Sequence, residues 1–593
     1  MIKKIVSVSV GAAVWAVFAA EGVRPQPELI GTVEIAAFSD FQKKVVDLGT
    51  TINNPAAPML AVPAVQSMLT EQFGKFRQDA AMKLLCYANV AALRKAIVED
   101  GDDDIDDAFE AAFLYPCAEG ADAFLVNHPE AKKFADGVIE LEDGNVALFA
   151  PDGRTCAFAS NAGAAKRALA AAPAPTACPL IRMNVTEVGL GLLADLHQKL
   201  AASQESLAQV AGGTNETDRL VSSCLKFQQA QMKRQNAVLR MFAQATMSMD
   251  LDETGFVVKG SVTAKPDVAV SPAAGFKLPA GVLDAIPAKA PLFGAANPFL
   301  YANIHSEQEY RALLGEVRDL IDFLFACLRQ KTPDYVQVVD GLRAAIADLL
   351  TTAPCPGPAD WAVGALAFGP RQEPYLLQFG ESATATQGRE VAVRFYAALA
   401  DAIGKKWPGI LLANDATLSL DWARLIDVVA AASGATQEEQ AQVVAAKENV
   451  AAILGGTVSE ASTVMPTPTT YRTFVGTRGF TPPAAAPAGE RRFAAAVPEA
   501  AANRPGGVFY LSLYALVRDN VLPLVVKVLP KQKTAQFQAI VSALPPAGAN
   551  GAIAGATWYE KNGSCSFLLR VTKDEIRNYG AAANAIMSAQ MAE

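Results

Sequence analysis

Several short apolar runs pass directly into segments in which apolar residues have helical spacing, which predicts strands that lead into helices. Six segments have this pattern: Thr32–Phe38, Leu85–Val90, Leu180–Val185, Phe299–Ile304, Leu418–Trp422 and Val508–Leu513. The tripeptide Tyr-Ala-Asn occurs in the second and the fourth of them, at residues 87–89 and 301–303. We therefore expect these two segments to open related structural units.

Turn residues between alternating segments predict β-hairpins. The turns are Pro151-Asp152-Gly153, Glu253-Thr254-Gly255 and Lys561-Asn562-Gly563. Each supplies a glycine for the positive φ angle that tight hairpins require. A fourth hairpin is expected between Trp361–Phe368 and Glu373–Phe379.

Long amphipathic helices are predicted between these strands. Ser306 and Glu309 form a capping box, and the apolar residues that follow as far as Phe325 lie on one helical face. Thr332-Pro333 is typical of the start of a second helix.

From residue 299 to residue 421 the predicted order is strand, helix pair, strand, strand, helix, strand, as in a split βαβ unit. The predicted fold class is therefore α+β: tandem ferredoxin-like units with antiparallel sheets and long amphipathic helices. Proline- and alanine-rich segments separate the units. The predicted organisation is a signal peptide at 1–20, a first α+β half at 21–266, a linker at 267–297, a related second half at 298–485, a linker at 486–507 and a C-terminal α+β portion at 508–593.

The first twenty residues have the pattern of an export signal. Lys3 and Lys4 precede an apolar run from Ile5 to Phe18, and a small-residue cleavage pattern ends at Ala19. The run is shorter than the roughly 20 residues that span a bilayer, so we expect cleavage rather than membrane anchoring. The mature chain is then periplasmic or secreted, without a transmembrane segment.

Composition excludes some classes of protein. Apolar residues make up 51% and charged residues 19% of the 593 residues, which favours packed domains over disorder. The formal net charge is −9, which is unfavourable for binding a phosphate backbone, so nucleic acid is not an expected partner.

Eight cysteines in an exported chain suggest disulfides. Cys327 lies near the end of one predicted helix and Cys355 just beyond the next, so a bridge between them could close a helical hairpin. Buried thiols that behave as small apolar groups are the alternative. Two further pairings fit the spacing: Cys86 with Cys117, and Cys156 with Cys178.

No motif predicts a catalytic residue or a cofactor. The three histidines, His128, His197 and His305, do not have metal-binding spacing, and neither G-x-S-x-G nor a phosphate-binding loop occurs. Trp361, Trp422, Trp558, Tyr301 and Tyr559 are expected to fill cores rather than to form a ligand platform.

An acidic run at residues 99–107 offers a calcium hypothesis through Asp100, Asp102 and Asp104. The register of a calcium loop fails, because Ile105 stands where the turn glycine belongs. Acids at the N-terminus of a helix are the favoured interpretation.

Export, repetition and the missing motifs together predict a non-enzymatic binding or scaffold protein with an envelope protein as its partner. A carrier of an apolar ligand such as a lipid is the alternative, since long helices over a curved sheet can enclose an apolar cleft. A hydrolase is a third hypothesis, and it requires a cleft with two carboxylates or a serine near His197.

Overall fold

The computed structural model describes residues 27–592 except 55, 100–107, 135, 143, 172–177, 211–215, 269, 302–305, 433–436, 482–488 and 530. The predicted signal lies outside the described residues. The chain divides into two compact units: unit 1 comprises residues 1–205 and 228–268, and unit 2 comprises 206–227 and 269–593. Each unit combines helices with antiparallel strands, so the chain is of mixed α and β structure, as predicted.

Unit 1 contains ten of the described strands and seven of the described helices, of which α6 and α7 extend across the unit boundary. The strands are β1 Glu28–Ile35, β2 Met82–Ala88, β3 Phe109–Pro116, β4 Lys132–Lys133, β5 Ile139–Glu140, β6 Val146–Phe149, β7 Thr155–Ala159, β8 Ile181–Thr186, β9 Phe242–Asp252 and β10 Gly255–Ala264. The helices are α1 Phe38–Thr51, α2 Ala56–Phe73, α3 Val90–Glu99, α4 Ala121–Asn127, α5 Ala162–Ala170, α6 Glu187–Val210 and α7 Glu216–Arg240.

Unit 2 contains ten further described strands. They are β11 Leu292–Ala296, β12 Trp361–Phe368, β13 Pro374–Glu381, β14 Leu411–Asn414, β15 Thr417–Asp421, β16 Val458–Val464, β17 Thr470–Thr477, β18 Gly507–Leu511, β19 Ile553–Tyr559 and β20 Cys565–Thr572.

The described helices of unit 2 include short and long segments. They are α8 Pro298–Tyr301, α9 Glu307–Lys331, α10 Val336–Thr352, α11 Ala385–Gly404, α12 Trp422–Ala432, α13 Gln437–Leu454, α14 Gly489–Ala496, α15 Glu499–Ala502, α16 Leu513–Ala515, α17 Leu522–Val528, α18 Lys531–Ala543 and α19 Lys573–Ala592. A π-helical segment, Leu516–Val521, joins α16 to α17.

The two units have the same strand order. In unit 1 the order across the sheet is β10-β9-β8-β1-β2-β3-β7-β6-β5-β4, with every neighbouring pair antiparallel. In unit 2 it is β20-β19-β18-β11-β12-β13-β17-β16-β15-β14, again antiparallel throughout. Adding ten to each strand number of unit 1 gives the order of unit 2.

Helix pairs connect strands that are neighbours in the sheet. The pairs α1–α2, α6–α7, α9–α10 and α12–α13, and the run α16–α18, each lie between two strands that pair antiparallel. Two antiparallel helices return the chain to the end of the strand it left, so the next strand runs alongside in the opposite direction. In α6–α7 this return is visible where Arg240 at the end of α7 lies 2.6 Å from Asp195 near the start of α6.

This geometry differs from the predicted ferredoxin-like arrangement. A split βαβ unit places another strand between the two that its helix connects, but β1 pairs directly with β2, and β11 pairs directly with β12. The sequence pattern does not distinguish a helix pair that returns the chain from a helix that carries it across the sheet.

The predicted hairpins are confirmed at β6–β7, β9–β10, β12–β13 and β19–β20. The N-cap of the predicted capping box is confirmed as well, because the Ser306 hydroxyl accepts from the Glu309 amide at 3.2 Å. The predicted strand at Phe299–Ile304 is wrong: α8 occupies its first three residues, and 302–305 lie outside the described residues.

The boundaries predicted for the second half also differ from the structure. The segment 267–297, predicted as a linker, contains β11, which lies between β18 and β12. The portion from residue 508 contributes β18, β19 and β20 to the same sheet rather than forming a sheet of its own.

Buried aromatic side chains fill one core of unit 1. Tyr115 and Phe158 on the sheet contact Phe73 of α2, with ring centroids 5.3 Å and 5.1 Å from that of Phe73. Phe38 of α1 belongs to the same cluster. On the other face of the sheet, Leu85 and neighbouring small residues pack against α5.

Arg570 is a charged residue in a buried apolar row of unit 2. It lies on β20 beside Ala554, which neighbours Tyr510, and it is 2% exposed. Its guanidinium donates to both carboxylate oxygens of Glu499 at 2.9 Å, and also to the Ala496 carbonyl at 3.1 Å. The ion pair thereby ties α14 and α15 to the sheet. Glu499 is 36% exposed, so the desolvation cost falls mainly on the arginine.

This asymmetry predicts unequal effects of removing either partner. Glu499→Gln leaves a buried cation and should lower the free energy of unfolding by about 3 kcal/mol. Arg570→Met should lower the free energy of unfolding by less than about half of that amount. The methionine side chain packs in the buried apolar row, and the Glu499 carboxylate becomes hydrated again. Arg577→Met, at an exposed pair with Asp574, is the control, with an expected effect within about 0.5 kcal/mol.

Urea unfolding followed by tryptophan emission makes this comparison, because Trp361, Trp407, Trp422 and Trp558 all lie in unit 2 and the fifth, Trp15, lies in the predicted signal. A larger loss for Arg570→Met than for Glu499→Gln would contradict the assignment of the cost to the arginine.

Candidate functional site

The turn between β19 and β20 encloses a cleft together with two loops of unit 2. The cleft has a volume of about 410 Å³. One loop precedes β11 and the other lies between α15 and β18. The lining residues are Gly275, Phe276, Lys277, Asn503, Arg504, Trp558, Tyr559, Glu560, Lys561 and Asn562.

Asn503 holds the three segments of the cleft together. Its backbone carbonyl accepts from the Trp558 indole at 2.7 Å, and its side-chain oxygen accepts from the Lys277 ammonium at 2.8 Å. The Leu278 amide donates to the Pro505 carbonyl at 3.0 Å, which joins the same two loops through their backbones. The cleft walls are therefore fixed by hydrogen bonds between residues that are far apart in the sequence.

Two glycines allow the walls to approach closely. Gly506 follows Pro505, and a Cβ atom there would lie 2.7 Å from the Tyr559 ring and 2.8 Å from the Phe276 carbonyl oxygen. Gly275 has a φ of +79°, and a Cβ there would lie 2.8 Å from the Lys561 side chain. Larger residues at either position would push the loop away from the β19–β20 turn.

The charge of the lining is positive. Lys277, Arg504 and Lys561 face a single carboxylate, Glu560, in a chain whose formal net charge is −9. Lys277, Arg504 and Lys561 are exposed. Lys277 is held by Asn503, whereas Arg504 and Lys561 form no ion pair with the residues that the structure describes. Cations without protein carboxylates as partners are suited to an anionic ligand.

Aromatic side chains form another part of the lining. Trp558 and Tyr559 are half-buried, and the hydrogen bond from its indole fixes the Trp558 ring. Burial raises the pKa of the Tyr559 phenol, so it stays protonated at neutral pH and presents a neutral ring. Both residues were expected in a core, but the structure places them at this cleft.

The predicted Cys327–Cys355 bridge is contradicted by the direction of the helices. Cys355 follows α10 and packs near Tyr310, at the beginning of α9. Cys327 lies seventeen residues further along α9, about 26 Å away at the rise of an α-helix. The helix pair exists as predicted, but the chain beyond its second helix returns to the start of the first.

The other predicted metal and histidine positions form no site in the described residues. Asp100, Asp102 and Asp104 lie outside the described residues, as does His305. His128 ends α4, with its ring centroid 4.2 Å from that of Phe124. The Nδ1 atom of His197 in α6 is buried without a described hydrogen-bond partner. No group of three His, Cys, Asp or Glu side chains that could hold a metal occurs in the part described.

The buried carboxylate of Asp360 fixes the conformation of the loop that contains Ser382. Asp360 is 5% exposed and accepts from the amides of Gly357 at 2.8 Å and Ala383 at 3.2 Å. The Ser382 hydroxyl also donates to Asp360. Ser382 therefore supplies a structural hydrogen bond between β13 and α11.

Sequence reasoning did not find Lys277, Asn503 and Arg504. No local pattern could have identified them, because the contact between Lys277 and Asn503 spans 226 residues of sequence. The hairpin turn that carries Lys561 was predicted. The lysine that closely follows Trp558 and Tyr559 was the feature of the sequence that could have indicated this site.

No protein-family model matches the chain, and comparisons with curated proteins and with solved structures found no match. None of the helices in the described ranges is long and apolar enough to cross a membrane.

The close approach at Gly506 predicts a specific sensitivity of the cleft. Gly506→Ala should destabilise unit 2 by about 1–3 kcal/mol, because the added methyl group overlaps Tyr559 and a backbone carbonyl. Gly364→Ala is the matched control in the same sheet, since a Cβ there meets nothing within 4 Å. It should leave the stability unchanged or raise it by up to about 1 kcal/mol. Urea midpoints from tryptophan emission decide between them, and equal midpoints for the two variants would rule out a tight wall at Gly506.

Proposed function

We propose that this protein is an exported, non-enzymatic binding protein, periplasmic or secreted, that binds a small organic anion in the cleft of unit 2. The observation that carries the proposal is the group of three cations, Lys277, Arg504 and Lys561, around a half-buried tryptophan and tyrosine in an acidic chain.

The chemistry of the lining defines the class of ligand. The Arg504 guanidinium presents several donors in one plane and binds a carboxylate or a phosphate in a bidentate manner. The Trp558 and Tyr559 rings supply flat apolar surface with polar edges, which suits a sugar or another ring. A ring that carries an anionic group, such as an acidic sugar, satisfies both parts of the cleft.

The lining disfavours the two alternative functions. A carrier of an apolar ligand needs a mostly apolar cavity, whereas most residues around this cleft are polar or charged. A hydrolase with two carboxylates needs a second acid near Glu560, but the residues that line the cleft include no acid besides Glu560. Neither alternative has an observation in its favour at this cleft.

The repeated architecture supports a binding or scaffold role. In this proposal the two units are copies of one α+β building block, and the identical strand orders support that relationship. One copy carries the cleft, and the other can diverge without losing its sheet.

Ligand titration tests the anion site. Glucuronate, glucose and inorganic phosphate are added to the full chain while Trp558 emission and the heat of binding are recorded. We expect saturable binding of glucuronate, weaker binding of phosphate and none of glucose, with affinity falling as salt increases. Arg504→Ala and Lys561→Ala should each lower the affinity for glucuronate by roughly ten-fold.

Lys331→Ala, at an exposed lysine of the same unit, is the matched control and should bind as the wild type does. Trp558→Phe removes the emission signal of the cleft, so any remaining signal must come from elsewhere. Equal binding of glucose and glucuronate, or no binding of either anion at millimolar concentration, would refute the proposed site.

Export is tested separately from binding. We expect the chain expressed in a bacterium to appear in the periplasmic fraction or the medium with a mature N-terminus near Ala20. Deletion of residues 2–20 should leave the protein in the cytoplasm. Mass spectrometry of the intact protein makes the measurement, and an uncleaved N-terminus on a membrane-bound protein would support anchoring instead.

A further inference from the structure

Two cysteines of unit 1 lie side by side in a packed core. Cys156 on β7 lies opposite Tyr115 on β3. Cys117 follows Tyr115 by two residues in the direction of β3, so it is a diagonal neighbour of Cys156. The Cys117 amide donates to the Arg154 carbonyl at 3.0 Å, which continues the pairing of the two strands. Because residues two apart on a strand face the same side, the side chains of Cys117 and Cys156 face the same core.

The two thiols are close enough to interact. Cys117 contributes to the raised pKa of the Cys156 thiol, both residues belong to the aromatic cluster of unit 1, and the Cys117 thiol donates to the carbonyl of Tyr115, the residue opposite Cys156, at 3.7 Å. Diagonal neighbours on antiparallel strands have Cα atoms roughly 7–8 Å apart, and strand twist shortens one of the two diagonals. A disulfide needs about 4.4–6.8 Å between Cα atoms. Cys117 lies one residue beyond the end of β3, so formation of the bond requires a small shift of this strand end.

We propose that Cys117 and Cys156 form a disulfide when the chain folds in an oxidising compartment. Neither pairing suggested by spacing, Cys86 with Cys117 or Cys156 with Cys178, has this support. The inference rests on the proposed export for its occurrence in the cell, but not on ligand binding.

The reaction is thiol–disulfide exchange with a disulfide compound such as oxidised glutathione or an envelope dithiol oxidase. One cysteine thiolate attacks the oxidant and forms a mixed disulfide, and the second cysteine then displaces the oxidant as a thiol. Overall, the two cysteines lose two protons and two electrons, and the disulfide of the oxidant is reduced to two thiols.

Burial determines when this exchange can occur. Cys117 is 5% exposed and Cys156 is completely buried. Burial, with Cys117 as a further contribution, raises the pKa of the Cys156 thiol, so its thiolate is scarce in the folded protein. The bond therefore forms before the core closes, and the folded core then protects it from reductants.

Peptide mapping of the wild-type chain tests the linkage. The reduced, unfolded full-length protein is refolded in a mixture of reduced and oxidised glutathione, alkylated without reductant and digested. We expect a peptide pair that joins Cys117 to Cys156, two hydrogen masses lighter than the separate peptides. Alkylation of both cysteines, or their linkage to other partners, would overturn the inference.

Hydrogen exchange of the β3 and β7 peptides tests the structural effect without a variant. The bridge closes a loop of about forty residues, so the oxidised protein should exchange roughly two to three orders of magnitude more slowly in these peptides than the reduced protein. Identical exchange would show that the bridge does not stabilise this core.

Variants provide the matched controls. Cys117→Ser and Cys156→Ser should each lose the linked peptide and the slow exchange, whereas Cys86→Ser, on β2 of the same sheet, should keep both. Loss of the linked peptide in Cys86→Ser would contradict the pairing. Since the mapping needs neither ligand nor export, its failure is distinguishable from failure of the proposed function.

Discussion

Two helices packed against each other return the polypeptide to the end of the sheet that it left, and this constraint determines much of the strand order in both units. After each return, the shortest connection leads into an antiparallel neighbour. A pair can therefore be added to a connection without changing the order of the strands. Unit 2 has α12 and α13 between β15 and β16, where residues 141–145 suffice between β5 and β6 of unit 1, and the pairing around them is the same.

The connections that cross the sheet have a different consequence. In unit 2 the chain leaves β17, passes through α14 and α15, and enters β18 on the far side of β11. The Arg570–Glu499 ion pair fixes the end of this crossing on the sheet. The next residues, Asn503 and Arg504, are thereby held beside the β19–β20 turn. The cleft thus depends on a buried ion pair that does not itself line it.

What the sequence predicted correctly is local. Hairpin turns and the Ser306 cap depend on a few neighbouring residues, so their patterns identified them. Strand order, the neighbours of Cys117 and the lining of the cleft depend on contacts between distant segments, which a single sequence does not specify. The Cys327–Cys355 pairing illustrates the difference between local structure and distant contacts. The helix pair was predicted from local patterns, but the side-chain contacts at its ends were not. The repeated Tyr-Ala-Asn tripeptide did not mark equivalent positions, because Tyr87 lies on β2 whereas Tyr301 lies on α8.

Strands at equivalent positions in the two sheets show how the two units differ. The β9–β10 turn of unit 1 occupies the position of the β19–β20 turn of unit 2. In unit 1 the turn carries Asp252 and Glu253, and the Asp252 carboxylate accepts from the Thr254 amide within the turn. In unit 2 the corresponding turn carries Lys561 beside Glu560. Since a sheet tolerates any polar residue at an exposed turn, such a change costs little stability, whereas it replaces a turn that has two negative charges by one whose charges cancel. A cleft with a net positive lining can therefore belong to one unit although both have the same strand order.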